Sequence, residues 1–309
     1  MKKIFTLFAL AALVAGLSFV SCTKEEDTPE EQIVDNNGGH NNGNGNNGSD
    51  PAGFDDDPFL DCTVSKTAAN KNVILEEYTG INCGYCPDGH RIANEIVASH
   101  PGRVFSINIH QGSFSANTYT TSFGDALAAQ AGVNSYPSGT VNRHAFTPGA
   151  ALCLQRSNWS ARTVGQLNQQ SCLNLAARCV IDTTTRKMTV VVKGYYTARC
   201  DSSTNMLNVA ILQNEVIGRQ SGSSYNSQYV TSDGQYRHMH MLRHLITGQW
   251  GDVIDRTVAR SSFSKVYEYT VPDKIEGVDA VLRNLDVVVF AAMGHKEIIT
   301  GVEAEIKLK

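Results

Sequence analysis

The chain of 309 residues is poor in charge: 18% of its residues are Asp, Glu, Lys or Arg, and the net charge is −4. That near balance argues neither for nor against a nucleic-acid partner, and none is expected. Tryptophan occurs twice and proline eight times, too few prolines for a polyproline or collagen-like rod. Beyond the first twenty residues no apolar run is long enough to cross a bilayer as a helix. There is no phosphate-cradling glycine loop, nucleophile elbow or zinc-protease helix motif, and no internal repeat. The glycines of Gly38–Gly48 have no strand before them and read as linker.

What is there begins with Cys83-Gly84-Tyr85-Cys86 and Pro87 directly behind it. In front, Asn72–Thr79 reads as a short buried strand. Behind, Ile92, Ile96 and Val97 recur at helical spacing between Gly89 and Ser99. The cysteine pair thus sits where a strand hands over to a helix N-terminus, whose exposed N–H groups and dipole favour a thiolate.

The first residues bear on the compartment. Met1-Lys2-Lys3 followed by the apolar stretch Ile4–Val20 has the form of a secretory signal over residues 1–21. Its end, Phe19-Val20-Ser21-Cys22, resembles a bacterial lipobox, with Cys22 as the lipidated mature N-terminus; the alternative is ordinary secretion with cleavage near Ser21. Residues 22–57 are rich in Asn, Gly, Asp and Glu and read as a disordered polar and acidic tether. One lysine stands against ten acids from Thr23 to Asp57, and the leader adds two positive charges, so Pro58–Lys309 carries +3. Lys24-Glu25-Glu26-Asp27 resembles the acidic export tags of surface lipoproteins, with a solvated spacer as the plain alternative.

Setting aside Cys22, Cys83 and Cys86, five of the eight cysteines remain: Cys62, Cys153, Cys172, Cys179 and Cys200. In an exported protein an odd remainder leaves at least one free or paired between chains. Alternating residues from Leu173 to Ile181 and from Met188 to Tyr196 read as a hairpin turning at Thr183–Lys187. On that hairpin Cys172 falls nearly opposite Cys200, whereas Cys179 lies by the turn, so Cys172–Cys200 is the expected bridge and Cys179 a small buried hydrophobe.

Two folded parts follow from the patterns. Residues 58–170 alternate strands (Asn72–Thr79, Arg103–His110, Gly139–Arg143) with helices (behind Cys86, Phe123–Ala131, Trp159–Gln169), an α/β order implying a parallel core. Residues 171–309 show roughly seven short alternating strands, the pattern of an antiparallel, immunoglobulin-like β-sandwich.

Residues 58–170 resemble a thioredoxin-fold domain, with Val73–Tyr78 as the strand that delivers the redox pair. The resemblance implies that Glu77, six residues before Cys83, is a buried acid moving protons for Cys86. It also implies that Pro137, in Tyr136-Pro137, is a cis-proline packed against a Cys83–Cys86 disulfide. Asn82 departs from the tryptophan usual before the first cysteine, and a polar insertion follows His110. The whole arrangement is similar to the 28-kDa outer membrane protein family of Bacteroidetes: lipobox, tether, Glu76-Glu77-Tyr78-Thr79-Gly80, Cys83-Gly84-Tyr85-Cys86-Pro87-Asp88-Gly89, then a β-domain containing Tyr236–Arg243. This implies an outer-membrane location, attachment by the N-terminal lipid, and display toward the surface or the periplasm.

Two function classes stay open. In the first, a thiol–disulfide oxidoreductase, Cys83 is a solvent-facing nucleophile, Cys86 resolves the mixed disulfide, Glu77 handles the proton, and Pro137 holds the substrate strand; the partners are protein thiols and disulfides. In the second, a non-enzymatic surface binding protein or adhesin, the disulfide is a structural staple and a surface protein is the partner. No cofactor and no metal are expected. Zinc on Cys83, Cys86 and His90 would want a fourth ligand. His238 and His240 share a face if they lie on a strand, but hydrogen bonding in place is the competing reading, and His244 completes the cluster without a nearby carboxylate.

Overall fold

The stretch Val73–Thr79 forms β1, in which every residue is buried, as expected of a strand packed on both faces. The computed structural model describes residues 57–309; the expected signal at 1–21, the lipid-bearing Cys22, nearly all of the tether and the Gly38–Gly48 linker lie outside the described residues. After β1 come α1 (Cys86–Ser99), β2 (Val104–His110), α2 (Gly124–Ala131), β3 (Ser138–Val141), β4 (Leu154–Gln155) and α3 (Trp159–Leu167). β1 pairs with β2 in parallel and with β3 antiparallel.

The second half is almost all β. The hairpin β5 (Leu173–Ile181) and β6 (Lys187–Tyr196) leads to β7 (Asn205–Gln213), β8 (Val216–Gly218), β9 (Tyr236–His238) and β10 (Met241–Leu245). Then follow β11 (Asp252–Ile254), β12 (Ser262–Thr270), a small ladder of β13 (Lys274–Ile275) and β14 (Val278–Asp279), β15 (Leu285–Met293), β16 (Ile298–Glu303) and β17 (Glu305–Leu308).

These strands do not form a separate antiparallel sandwich. β7, β10, β15 and β16 join β1 and β2 in one nine-stranded mixed sheet, ordered β16-β15-β7-β10-β2-β1-β3-β4, with β11 also on β7. A four-stranded sheet, β12-β6-β5-β17, packs on it and includes a parallel pair between β17 and β5. The fold class is therefore mixed α/β, mostly β, with several sheets and few helices. Residue 170, where the two parts were expected to divide, lies between strands that share one sheet.

Alternation explains how one sheet serves three cores. Ile74 and Tyr78 of β1, Phe105, Ile107 and Ile109 of β2, Ala210 and Leu212 of β7, Leu242 of β10 and Val288 and Phe290 of β15 meet α2 in one cluster. From the opposite face Val73 and Leu75 meet α1 and α3, while Leu207, Val209 and Ile211 meet the four-stranded sheet. The large sheet curls until its ends touch: Ile298 N–H donates to the Asn142 carbonyl at 2.8 Å, and Asn72 Nδ2 donates to the Gly301 carbonyl at 2.8 Å. Gly301 allows that approach, since a Cβ there would meet Ile74 Cδ1 at 2.6 Å.

Candidate functional site

Cys83 and Cys86 are joined as a disulfide at the C-terminal end of β1, with the Cys86 N–H donating to the Cys83 carbonyl at 3.3 Å as α1 begins. Pro87 in the first turn lacks an N–H that the helix would leave unused anyway, and Asp88 suits the positive end of the dipole. Asp88 is bound to Arg91 at 2.8 Å and Arg156 at 2.7 Å, which hold its carboxyl below its ordinary value against the opposing effect of burial.

Beneath this turn lie Glu77 and Pro137. The Tyr136–Pro137 bond is cis. A Cβ on Gly89 would meet Glu77 Oε1 at 2.6 Å and Pro137 Cβ at 2.9 Å, so glycine is what lets α1 settle on both. Neither Glu77 oxygen has a hydrogen-bond partner, and the side chain is fully buried, which pushes its carboxyl well above the ordinary value. Its neighbour Glu76 points to the other face of β1, where Arg143 Nε reaches both oxygens at 3.0 and 2.9 Å and Thr140 Oγ1 donates at 2.8 Å. Two adjacent glutamates thus have opposite environments: one in an ion pair, one alone.

Residues that sequence reasoning did not join to the site complete it. His90, one turn beyond Cys86 on α1, is within 3.0 Å of Thr79 Oγ1 through Nε2 and within 3.1 Å of Tyr236 Oη through Nδ1. Burial, with a smaller effect from His238, lowers its pKa to about 3, so the ring is neutral and its 3.6 Å approach to Glu77 is not an ion pair. His238, on β9, packs edge-on against His110, Tyr119 and Tyr236. His240 lies beyond β9 at φ +51° and so does not share a strand face with His238, while His244 stacks on Tyr269. No group of three metal-ligating side chains occurs among the described residues.

Cys83 does not face solvent, contrary to expectation. It is 3% exposed and Cys86 0%. The cover is a flap from the second half: β8, the 3-10 segment Ser223–Tyr229, and β9. Ser221 N–H donates to the Ile81 carbonyl at 2.8 Å, Gln220 Nε2 to the Cys83 carbonyl at 3.1 Å, and Tyr225 packs its ring 5.6 Å from that of Tyr85. Gly222, at φ +69°, lies directly against the Gly84 backbone.

Elsewhere Cys172 is bonded to Cys200, next to the pairing of Leu173 with Tyr196. Cys62, Cys153 and Cys179 are unbonded, with Cys179 fully buried in the core between the sheets. A cavity of about 450 Å³ opens beside Cys172–Cys200, away from Cys83; Glu297 in its lining meets Lys71 at 2.9 Å and His144 at 3.0 Å, and Arg199 and Asp201 also line it.

Residues 124–307 match the family described as outer membrane protein Omp28. The chain belongs to the Omp28 family. Its location is accordingly the outer membrane. The Omp28 match begins at α2, after the cysteine segment, so it includes Pro137 and Cys172–Cys200 but not Cys83, Cys86 or Glu77. Among solved structures, HBP35 of Porphyromonas gingivalis is 22% identical with a TM-score of 0.61, over 77% of this chain and 78% of that one, a likeness of fold. A domain of the outer membrane lipoprotein Omp28 from Porphyromonas gingivalis is 21% identical over 45% of this chain and 91% of its own, with a TM-score of 0.30. No curated protein matches the chain.

Proposed function

We propose that this Omp28 protein is a lipid-anchored thiol–disulfide exchange protein of the outer membrane. In this reading residues 1–21 are removed, Cys22 carries the lipid, and residues 22–57 are the tether. Residues 58–170 are the thioredoxin-like unit, and residues 171–309 complete its sheet and cover its disulfide. Cys83 is the sulfur that an incoming thiolate attacks, Cys86 resolves, Glu77 holds the proton, and Pro137 flanks the pair where a substrate strand docks. The partners are thiols and disulfides of exported proteins, reached when the flap over Cys83 opens.

The observation that carries this reading is Glu77. A buried carboxyl without a partner costs several kcal/mol relative to an apolar side chain. A disulfide that merely staples the chain gains nothing from it, whereas a pair that alternates between disulfide and thiolate needs a proton held close by. The test is to equilibrate the full chain with glutathione buffers of graded potential and count free thiols at Cys83 and Cys86 by alkylation and mass analysis. Exchange with glutathione and with a cysteine peptide is expected. A pair that remains oxidised throughout and exchanges with no peptide sinks the reading.

A second reading has its own support. The burial of both cysteines favours a structural disulfide in a non-enzymatic surface binding protein. A Cys83→Ser, Cys86→Ser variant that keeps full surface binding would favour adhesion over exchange.

A further inference from the structure

Four polar side chains run in order from the flap to Glu77. Asn226 Nδ2 donates to Tyr236 Oη at 2.9 Å, and Asn226 Oδ1 accepts from Gln228 Nε2 at 3.3 Å, which fixes the orientation of the amide. Because an amide NH2 only donates, the Tyr236 hydroxyl proton must go elsewhere, and the acceptor at hand is His90 Nδ1, 3.1 Å away. Nδ1 is then unprotonated, and the neutral ring carries its proton on Nε2, which bonds Thr79 Oγ1 at 3.0 Å and lies 3.6 Å from Glu77 Oε1. Asn226 and Tyr236 belong to the flap, so the flap sets the tautomer of a histidine that faces the buried acid.

We propose that His90, held in its Nε2–H form by Tyr236 and Asn226, is the positioning residue that stabilises the Glu77 carboxylate formed when Glu77 protonates Cys86. This rests on the thiol–disulfide reading above. A substrate thiolate attacks Cys83 Sγ; the new S–S bond forms as the Cys83–Cys86 bond breaks, and the electron pair leaves on Cys86 Sγ. Glu77 gives that sulfur its proton. The second substrate thiolate then displaces Cys83, which takes up a proton. Two substrate thiols become one disulfide, their two electrons reduce the Cys83–Cys86 pair, and their two protons end on Cys83 and, by way of Glu77, on Cys86.

A carboxylate formed there needs a donor. Around it stand His90 on α1, 3.6 Å away, and Tyr236 on β9, whose hydroxyl feels its charge; Thr79 on β1 is bonded to His90, and His238 and Tyr229 pack against Tyr236. Beyond His238 stand His110 on β2, Tyr119, and Arg243 on β10, whose charge is felt at His110. Burial holds all three histidines neutral at pH 7, so none offers a positive charge. The His90 Nε2–H, bonded to Thr79 Oγ1 at 3.0 Å and 3.6 Å from Glu77 Oε1, is the dipole within reach of a carboxylate formed there.

The test follows the protonated-carboxyl infrared band of Glu77 against pH in the oxidised full chain, assigned with Glu77→Gln, alongside the rate of disulfide reduction by dithiothreitol. His90→Leu is expected to raise the pH at which Glu77 loses its proton by about one unit, and to slow reduction about tenfold. His90→Gln, which keeps a donor near the Nε2 position, restores both, and Tyr236→Phe shifts the band in the same direction as His90→Leu. A Glu77 titration that moves in none of these variants overturns the role of His90 even if exchange proceeds. A wild-type chain that exchanges with no thiol overturns the exchange reading itself, whatever the band does. Should His90→Leu fail to fold, His90→Gln and Tyr236→Phe carry the same comparison.

Discussion

Glu76 and Glu77 are chemically identical neighbours, and β1 sends them to opposite faces. Glu76 neutralises Arg143, and both are nearly inaccessible to water. Glu76→Gln leaves that guanidinium buried without a counter-charge and is expected to cost ~3–5 kcal/mol, read from urea denaturation. Glu77→Gln should do the reverse. In the unfolded chain Glu77 ionises near its ordinary value of 4.5, whereas in the folded chain it keeps its proton to higher pH. Above pH 4.5 the folded state therefore binds more protons than the unfolded one, and stability falls as pH rises toward the folded value. The amide has no such dependence, so the variant gains on wild type by up to ~1.4 kcal/mol per pH unit in that window. Equal pH slopes for the two proteins would contradict an unpartnered Glu77.

At the scale of elements, the flap over α1 decides whether the disulfide can be reached. It is held by Ser221 on the Ile81 carbonyl, by Gln220 on the Gly80 and Cys83 carbonyls, by Tyr236 on His90, by ring contacts of Tyr225 with Tyr85 and of His238 with His110, and by the close approach of Gly222 to Gly84. Gly222→Ala adds a Cβ against the Gly84 carbonyl at a left-handed backbone position, and should weaken closure by at least ~1.4 kcal/mol, a tenfold faster reduction of Cys83–Cys86 by a small phosphine. An unchanged rate would mean that the flap is not the barrier. The flap also explains why the expected exposure of Cys83 fails. Strand-then-helix context places a cysteine at a helix N-terminus, but a segment some 140 residues later covers it, and nothing near Cys83 in sequence signals that.

For the whole molecule, the nine-stranded sheet joins strands from both sides of residue 170. β2 pairs with β10, and the cluster around Ile74, Phe105 and Ile107 takes Leu212, Leu242, Val288 and Phe290 from beyond residue 170. A fragment ending at residue 170 would expose that cluster and the edge of β2. It is expected to lack a cooperative thermal transition, whereas residues 58–309 unfold in one. A sharp transition with native-like circular dichroism from the fragment would show that the first half stands alone.

The sequence by itself determined the local elements and the local chemistry. Alternation and helical spacing located β1, β2, α1, α2 and the β5–β6 hairpin to within a few residues, because burial of a strand or helix face imposes its period on neighbouring positions. Hairpin register likewise related Cys172 to Cys200. Only the tertiary structure decided what each polar residue meets. Which of two adjacent glutamates is paired, which histidine faces the acid, and what lies over Cys83 depend on chain segments far apart in sequence. The same holds for the sheet that crosses residue 170: strand pairing is made by backbone groups, which are alike at every residue and leave little trace of the partner in the sequence.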